Sequence, residues 1–190
     1  MGRTIDSDYT AQELSIKLLE LMNEKEYSHI SISNITTRAG VNRTTFYLFF
    51  GSKDELFAEL CQTMLHSVYS EYFVATMNDD KKEREAFHAV MEFVTTWKHA
   101  LKQIVSVQTE FGSGSILLSE SLELLFMSED IIARLKIKPG KYYNFFAKLY
   151  SSAIISAIEW ILDNDCSEDD FYEFVKGIKL HGMYAVLKNK

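Results

Sequence analysis

The amino-acid sequence predicts an all-α protein of about nine helices, and three observations support this fold class. A single proline and eight glycines interrupt 190 residues, whereas an all-β fold would need many more turn residues. Apolar residues recur at the three- and four-residue spacing of helix faces, and no segment is a convincing strand. With 47% hydrophobic and 25% charged residues, the chain has the composition of a globular protein.

The first two predicted helices are bounded by recognisable caps. Thr10 and Glu13 form a capping-box pattern, which predicts the start of a helix that runs to about residue 26. After a turn, a shorter helix is expected over residues 32–39, with a serine suited to cap its start. Gly40 then accepts the left-handed conformation that ends many helices.

Two further helices complete the predicted N-terminal unit. Asn42 is suited to cap a short helix over residues 43–50. Ser52 with Glu55 repeats the capping box and opens a long helix. The two short helices and their three-residue connection have the spacing of a helix-turn-helix, which we place at about residues 32–51.

The rest of the chain is predicted to be a larger helical body, residues 67–190, that follows a head of residues 8–66. Helices are expected after the polar turn at 79–82 and near 97–107, 116–136, 141–163 and 169–187. The run Gly-Ser-Gly-Ser at 112–115 is expected to be a loop, and Lys138-Pro139-Gly140 interrupts the chain before the last two helices.

Charge and cysteine content limit the classes of protein. A net charge of −7 excludes a uniformly basic nucleic-acid coat but leaves room for a locally basic site. Cys61 and Cys166 form no CxxC motif, so two thiols in a reducing cytoplasm are the simple interpretation, and a disulfide is unsupported. Without a signal-peptide pattern or an uncharged apolar run of about 18 residues, we expect a soluble cytoplasmic protein with no membrane partner.

The stretch from Ser31 to Lys53 differs in charge from the rest of the chain and coincides with the predicted helix-turn-helix. It has no acidic residue but three cations, Arg38, Arg43 and Lys53. On its second helix, the i, i+3, i+4 spacing predicts a buried face of Phe46, Phe49 and Phe50. The opposite side carries Thr44, Tyr47 and Leu48.

Such a helix can enter the major groove of DNA. Short hydroxyl side chains can lie against base edges, and Arg43 can reach guanine or phosphate. The hydroxyl of Tyr47 can bind a phosphate. Lys53, in the first turn of the next helix, adds charge where free backbone N–H groups already favour a phosphate.

Residues 35–57 resemble the signature of the TetR family of helix-turn-helix transcriptional regulators. They read ITTRAGVNRTTFYLFFGSKDELF. The family pattern has an Ile, a small residue, Ala-Gly-Val, a Ser or Asn cap and a basic residue. It continues with Thr, an aromatic or Leu, Tyr, a Phe, and Ser-Lys-Asp/Glu-x-Leu. The resemblance covers about the first 65 residues, and beyond them only length and helical architecture match.

The resemblance implies a homodimer that binds a palindromic DNA operator through two heads and is released by a small-molecule effector in the body. Position by position, it implies DNA contacts from Ser31, Ser33, Arg43, Thr44, Thr45, Tyr47 and Lys53. Two positions depart from the family. Thr44 stands where many members have glycine, so its side chain adds a contact or tilts the helix. Phe49 stands where histidine is frequent, so one phosphate contact is expected to be lost.

The body offers candidates for an effector pocket and for a dimer interface. Aromatic and methionine side chains suit an adaptable apolar pocket, although each also suits a bundle core: Met91, Phe93, Trp97, Phe111, Phe126, Tyr143 and Phe146. The last two helices combine apolar stripes with small residues, which permit close helix approach. With the resemblance, they predict a four-helix dimer interface that includes Ile154, Ile158, Ile161, Phe174, Ile178 and Ala185.

No catalytic or metal-binding constellation is recognisable in the sequence. The five histidines include no HExxH motif, and the Gly-Ser run at 112–115 lacks the lysine of a phosphate loop. We therefore expect a ligand-responsive repressor with no cofactor and no metal, and not an enzyme. Two alternatives stay open: an activator on the same fold, and a helical small-molecule binding module whose head no longer binds DNA.

Overall fold

The computed structural model describes the backbone of residues 5–75, 80–134 and 138–181. Within these ranges the protein is all-α, as predicted, with ten helices where about nine were expected. The helices are α1 (Ile5–Glu24), α2 (Ile32–Ala39), α3 (Arg43–Phe49), α4 (Lys53–Ala75), α5 (Asp80–Thr96), α6 (Lys98–Ser106), α7 (Gly114–Met127), α8 (Glu129–Arg134), α9 (Tyr143–Asp163) and α10 (Glu168–His181). A 3₁₀ turn occupies Tyr27–His29, and two short strands are β1 (Gln108–Thr109) and β2 (Gly112–Ser113).

The chain folds into two compact units. The first unit contains the described residues up to Leu65 together with Trp97–Ser121. The second unit contains His66–Thr96 and the described residues from Leu122 onward. The first unit thus combines the helix-turn-helix with α6, the two strands and the start of α7. The boundary expected after residue 66, between a DNA-binding head and an effector-binding body, stays a prediction.

The core of the first unit is formed where α1 packs against α2 and α6. Its largest fully buried side chains come from six helices and are Leu14, Leu18, Met22, Ile35, Phe46, Leu56, Phe57, Ile104 and Leu118. Burial of each such side chain contributes about 1.5–3 kcal/mol. The helix-turn-helix is therefore anchored to α1, and α1 is anchored to α6.

The segment between α6 and α7 differs from the predicted loop at 112–115. β1 and β2 pair in an antiparallel hairpin, and α7 already begins at Gly114. The hydroxyl of Thr109 donates to the Gly112 carbonyl at 2.8 Å and so closes the turn. A Cβ atom at Gly114 would overlap the backbone carbonyl of Ile104, so glycine is required by a close approach. The Gly-Ser composition of residues 112–115 is typical of a loop and gives no sign of this close packing.

Two helix boundaries also differ from expectation. Thr10 lies inside α1, so the predicted start there is wrong. The residues from Ile5 to Thr10 include no proline or glycine, and acidic residues favour a helix N-terminus, which lets the helix extend upstream. The single helix expected at 116–136 is interrupted at Ser128, whose hydroxyl accepts the N–H of Ile131 at 3.3 Å and caps α8.

In the second unit, α5 packs on α10 through aromatic rings. The Phe87 ring lies 5.9 Å from Phe171 and 5.1 Å from Tyr172, measured between centroids. Outside this contact, Arg84 is paired with Asp169, and His88 lies 3.0 Å from a Glu168 oxygen. These charged contacts are exposed, so the aromatic packing carries most of the stability of this helix pair.

The two cysteines are free, and they differ in burial. Cys61 is fully buried, and burial raises the pKa of its thiol to about 12.

We expect Cys61 in a Cys166→Ser variant to resist an aromatic disulfide reagent at about pH 8, because only the thiolate is reactive. After unfolding in guanidinium it should react at once. Rapid reaction of the native variant would contradict the buried position.

Candidate DNA-binding site

The helix-turn-helix is held by short-range hydrogen bonds at both helix starts. Ser31 caps α2: its hydroxyl accepts the N–H of Asn34 at 3.2 Å, and the Asn34 side-chain oxygen accepts the N–H of Ser31 at 3.0 Å. Gly40 ends α2 with a φ of +67°, the left-handed conformation expected of it. The predicted bounds of α2 are therefore confirmed.

Asn42 caps α3, as its sequence position predicts. Its side-chain oxygen accepts the N–H of Thr45 at 2.8 Å and the Thr45 hydroxyl at 3.1 Å. The Thr45 hydroxyl hydrogen is therefore engaged, and its oxygen keeps acceptor capacity. The α3 end of the connection between α2 and α3 is thus fixed by the Asn42 side chain, and its α2 end by the backbone N–H of Gly40, which donates to the Thr37 carbonyl at 3.3 Å.

One face of α3 is buried in the first unit. Phe46 is fully buried, and Phe50, which follows α3, is 2% exposed. Their ring centroids lie 5.8 Å apart. Phe49 is only partly buried, at 6.4 Å from the Phe50 ring, so it forms the edge of this face rather than its centre.

The opposite face of α3 is open to solvent. Tyr47 is 50% exposed and Leu48 77% exposed, and Arg43 and Thr44 are also exposed. In the part of the chain that the structure describes, the Arg43 guanidinium and the Thr44 and Tyr47 hydroxyls have no hydrogen-bonding partner. These polar groups are available to an external ligand.

Two of the three cations in the stretch from Ser31 to Lys53 are already engaged within the protein. Arg38 donates to Glu24 at 2.8 Å and joins α2 to α1, and this hydrogen bond lowers the pKa of Glu24. Lys53 donates to the carbonyls of Tyr27 at 2.7 Å and Ile30 at 2.9 Å. An ammonium has three N–H donors, so these two bonds leave one N–H of Lys53 without a carbonyl acceptor.

Lys53 belongs to a hydrogen-bond network that the sequence did not reveal. Its ammonium lies 3.8 Å from the centre of the Tyr27 ring, and its partial burial lowers its pKa. The Tyr27 hydroxyl donates to Asp54 at 2.7 Å, and Asp54 accepts the N–H of Glu110 in the hairpin at 3.2 Å. Burial, and then the bond to Asp54, raise the pKa of Tyr27.

Gln103 of α6 extends this network to the end of α1. Its side-chain oxygen accepts the N–H of Tyr27 at 2.6 Å. Its amide donates to the carbonyls of Met22 at 2.6 Å and Lys25 at 3.1 Å. Gln103 therefore satisfies backbone groups that the end of a helix leaves unpaired. Through these bonds, α6 and the hairpin hold the turn before α2 and the start of α4.

The sequence of this site matches a known family. Residues 18–60 match the family model of bacterial regulatory proteins, tetR family. They span the end of α1, both short helices and the first part of α4, which is the region whose geometry is described above. This part of the chain is therefore similar to the DNA-binding region of tetR-family regulatory proteins.

Solved structures of regulatory proteins share the fold over most of the chain. A TetR transcriptional regulator from Rhodococcus sp. RHA1 is 13% identical, with a TM-score of 0.61 over 90% of this chain and 93% of its own. The dihydroxyacetone kinase operon activator DhaS is 17% identical, with a TM-score of 0.59 over 94% and 96%. At such identities the likeness shows the fold alone. No curated protein sequence matches the chain.

The seven residues predicted for the effector pocket are distributed over both units. Trp97 and Phe111 belong to the first unit, and the other five to the second. In the second unit, Phe126 and Tyr143 are buried, and the Tyr143 hydroxyl donates to the Phe126 carbonyl at 2.8 Å. The remaining three are partly buried: Met91, Phe93 and Phe146.

A cavity of about 640 Å³ lies between α9 and α10, and none of those seven residues lines it. Its lining is Ala153, Ser156, Ala157, Trp160, Cys166, Asp170, Phe171 and Phe174. Trp160 is 51% exposed and Phe174 58% exposed, so large apolar side chains at this cavity face solvent.

The cavity continues an exposed apolar stripe along α9. The stripe consists of exposed residues three or four positions apart, Tyr142, Phe145, Leu149, Ala153, Ser156 and Trp160. Of the predicted dimer residues, Ile161 is buried in its own unit, Ile154 and Ile158 are partly buried, and Phe174 is exposed. Ala185 and the side chain of Ile178 lie outside the described residues.

Proposed function

We propose that this protein is a transcriptional regulator that binds a palindromic DNA operator as a homodimer. The observation that carries the proposal is the exposed face of α3. The Arg43, Thr44 and Tyr47 side chains of this face have no hydrogen-bonding partner in the described protein, while Phe46 and Phe50 on the other side are buried and the start of α3 is capped. A rigid helix with such a face fits the major groove.

Each exposed group of the helix-turn-helix has a suitable role on DNA. Arg43 can bind guanine or a phosphate, and Thr44 can lie against a base edge. Tyr47 can donate its hydroxyl to a phosphate. For the remaining candidates we propose contacts to the DNA backbone or to nearby bases: Ser31, Ser33, Thr45 and Lys53.

A second copy of the chain is the partner that the α9 stripe suits. An isolated soluble protein rarely exposes so continuous an apolar surface. By length and composition alone α9 could cross a membrane, with a mean hydropathy of 1.4, but core helices pass the same test. Its small residues, Ala153 and Ser156, would let two copies of α9 approach closely. Two heads would then reach half-sites about one DNA turn apart.

We further propose repression relieved by a small-molecule effector in the second unit. The partly buried Met91, Phe93 and Phe146 are suited to an apolar pocket. An effector that favours one head spacing would shift the dimer away from the operator.

DhaS is described as an operon activator, so activation on this fold is the second candidate. A reporter gene behind the operator, with and without the protein, separates the two signs of regulation.

The decisive experiment selects bound sequences from random duplex DNA. We expect a palindromic site, with an affinity that falls steeply with salt because several phosphates are contacted. A Thr44→Ala/Tyr47→Phe variant should bind this site about tenfold or more weakly, since two contacts per head are lost. A Tyr9→Phe/Thr95→Ala variant makes the same changes at exposed positions of α1 and α5, outside the proposed DNA and dimer contacts, and should bind normally. Failure of the folded dimer to enrich any sequence would refute the proposal.

A further inference from the structure

Leu48 is the most exposed large apolar side chain in the described part of the protein, at 77%. It lies near the end of α3, one turn after Thr44. Single exposed leucines are common on protein surfaces. This one, however, shares the solvent-facing side of a helix whose other exposed residues are polar, Arg43, Thr44 and Tyr47.

The spacing divides the exposed face of α3 into two rows. Arg43 and Tyr47 form one i, i+4 pair, and Thr44 and Leu48 form the other. The first pair ends in hydrogen-bond donors, which suit phosphates and guanine. The second pair presents methyl groups, and Leu48 has no hydrogen-bonding group. Any attraction from Leu48 must therefore come from contact with an apolar surface.

We propose that Leu48 recognises the C5 methyl group of thymine in each half-site of the operator. This inference rests on the proposed function of α3 as a reader of DNA. Along the edges of the bases in the major groove, the thymine methyl is the apolar group. A leucine against cytosine or adenine would instead cover a polar amino group without binding it. Leu48 thus favours thymine at one position by burial and disfavours the other bases by desolvation.

The test replaces thymines in the selected operator, one position at a time, by deoxyuridine, which lacks only the methyl group. For the wild-type protein, we expect one symmetric position at which deoxyuridine in place of thymine weakens binding about fourfold per half-site. This is the effect of one lost methyl contact. At that position a Leu48→Ala variant should bind thymine and deoxyuridine equally well. A Leu124→Ala variant changes another exposed leucine, 65% exposed on α7, and should keep the wild-type preference.

The outcomes separate this inference from the proposed function. The inference is supported if the Leu48→Ala variant loses the preference for thymine over deoxyuridine while the wild-type protein and the Leu124→Ala variant keep it. If the wild-type protein tolerates deoxyuridine everywhere, or if Leu48→Ala keeps the preference, the inference is overturned while operator binding stands. If no operator is selected at all, the proposed DNA-binding function and the proposed role of Leu48 are both refuted. Because Leu48 is exposed, its truncation leaves the core intact, and circular dichroism verifies the fold of each variant.

Discussion

A Gln103→Leu variant should lose about 3–5 kcal/mol of unfolding free energy, because three backbone groups would lose their partner. Gln103 is 7% exposed, so water cannot take its place. Its oxygen now accepts from Tyr27, and its amide donates to Met22 and Lys25. Leucine has a similar volume and fills the space, so the loss reports hydrogen bonds rather than a cavity.

Urea denaturation followed by circular dichroism measures this loss. A Gln62→Leu variant serves as the control, since Gln62 is exposed on α4, and its stability should stay within about 0.5 kcal/mol of wild type. Gln103→Glu should also be destabilised, because a carboxylate accepts from Tyr27 but cannot donate to the two carbonyls. A Gln103→Leu protein within about 1 kcal/mol of wild type would show that these bonds contribute little.

The same substitution should weaken operator binding in the protein that remains folded. Gln103 holds Tyr27, and Tyr27 in turn positions Lys53 and Asp54 at the start of α4. Loosening of this turn would let the helix-turn-helix and α4 adopt more than one arrangement. DNA would then bind only the competent fraction, which raises the apparent Kd in proportion.

The helix-turn-helix could be predicted closely because its determinants are local. Ser31 and Asn34, like Asn42 and Thr45, bond across three residues, so the capping residues are visible in the sequence. Gly40 marks the end of α2 for an equally local reason, its positive φ. Such short-range chemistry reveals helix ends and the solvent-facing side of α3 without knowledge of the tertiary fold.

The network around Tyr27 could not be predicted, because its members are distant in sequence. Gln103 lies 76 residues from Tyr27, and Glu110 lies 56 residues from Asp54. Neither residue belongs to a recognisable motif. The engagement of Arg38 and Lys53 escaped prediction for the same reason. A count of cations therefore overstated the free positive charge of the site.

The exposed face of α9 was also beyond sequence reasoning. The helix is apolar on more than one side: Ile155, Ile161 and Leu162 are buried, whereas Phe145, Leu149 and Trp160 are exposed. Periodicity identifies a core face only when the other face is polar. Ile154, Ile158 and Ile161 were as plausible for an interface as the residues that the fold exposes. Only the packing of the second unit distinguishes these faces.

An Ala153→Arg variant should be monomeric and should bind the operator about a hundredfold or more weakly, because a monomer reaches one half-site at a time. Ala153 lies in the middle of the α9 stripe and lines the cavity beside α10. It is exposed, so an arginine is accommodated within a single chain. Between two closely packed copies of α9, however, its charge would be buried without a partner.

Asn144→Arg provides the matched control for that variant. Asn144 is exposed on α9 but lies outside the stripe, so the same arginine should leave both dimerisation and operator affinity intact. Sedimentation equilibrium gives the mass of each variant, and a titration with labelled operator gives its Kd. A dimeric Ala153→Arg protein would place the interface elsewhere. A monomer with undiminished operator affinity would instead reject cooperation between two heads.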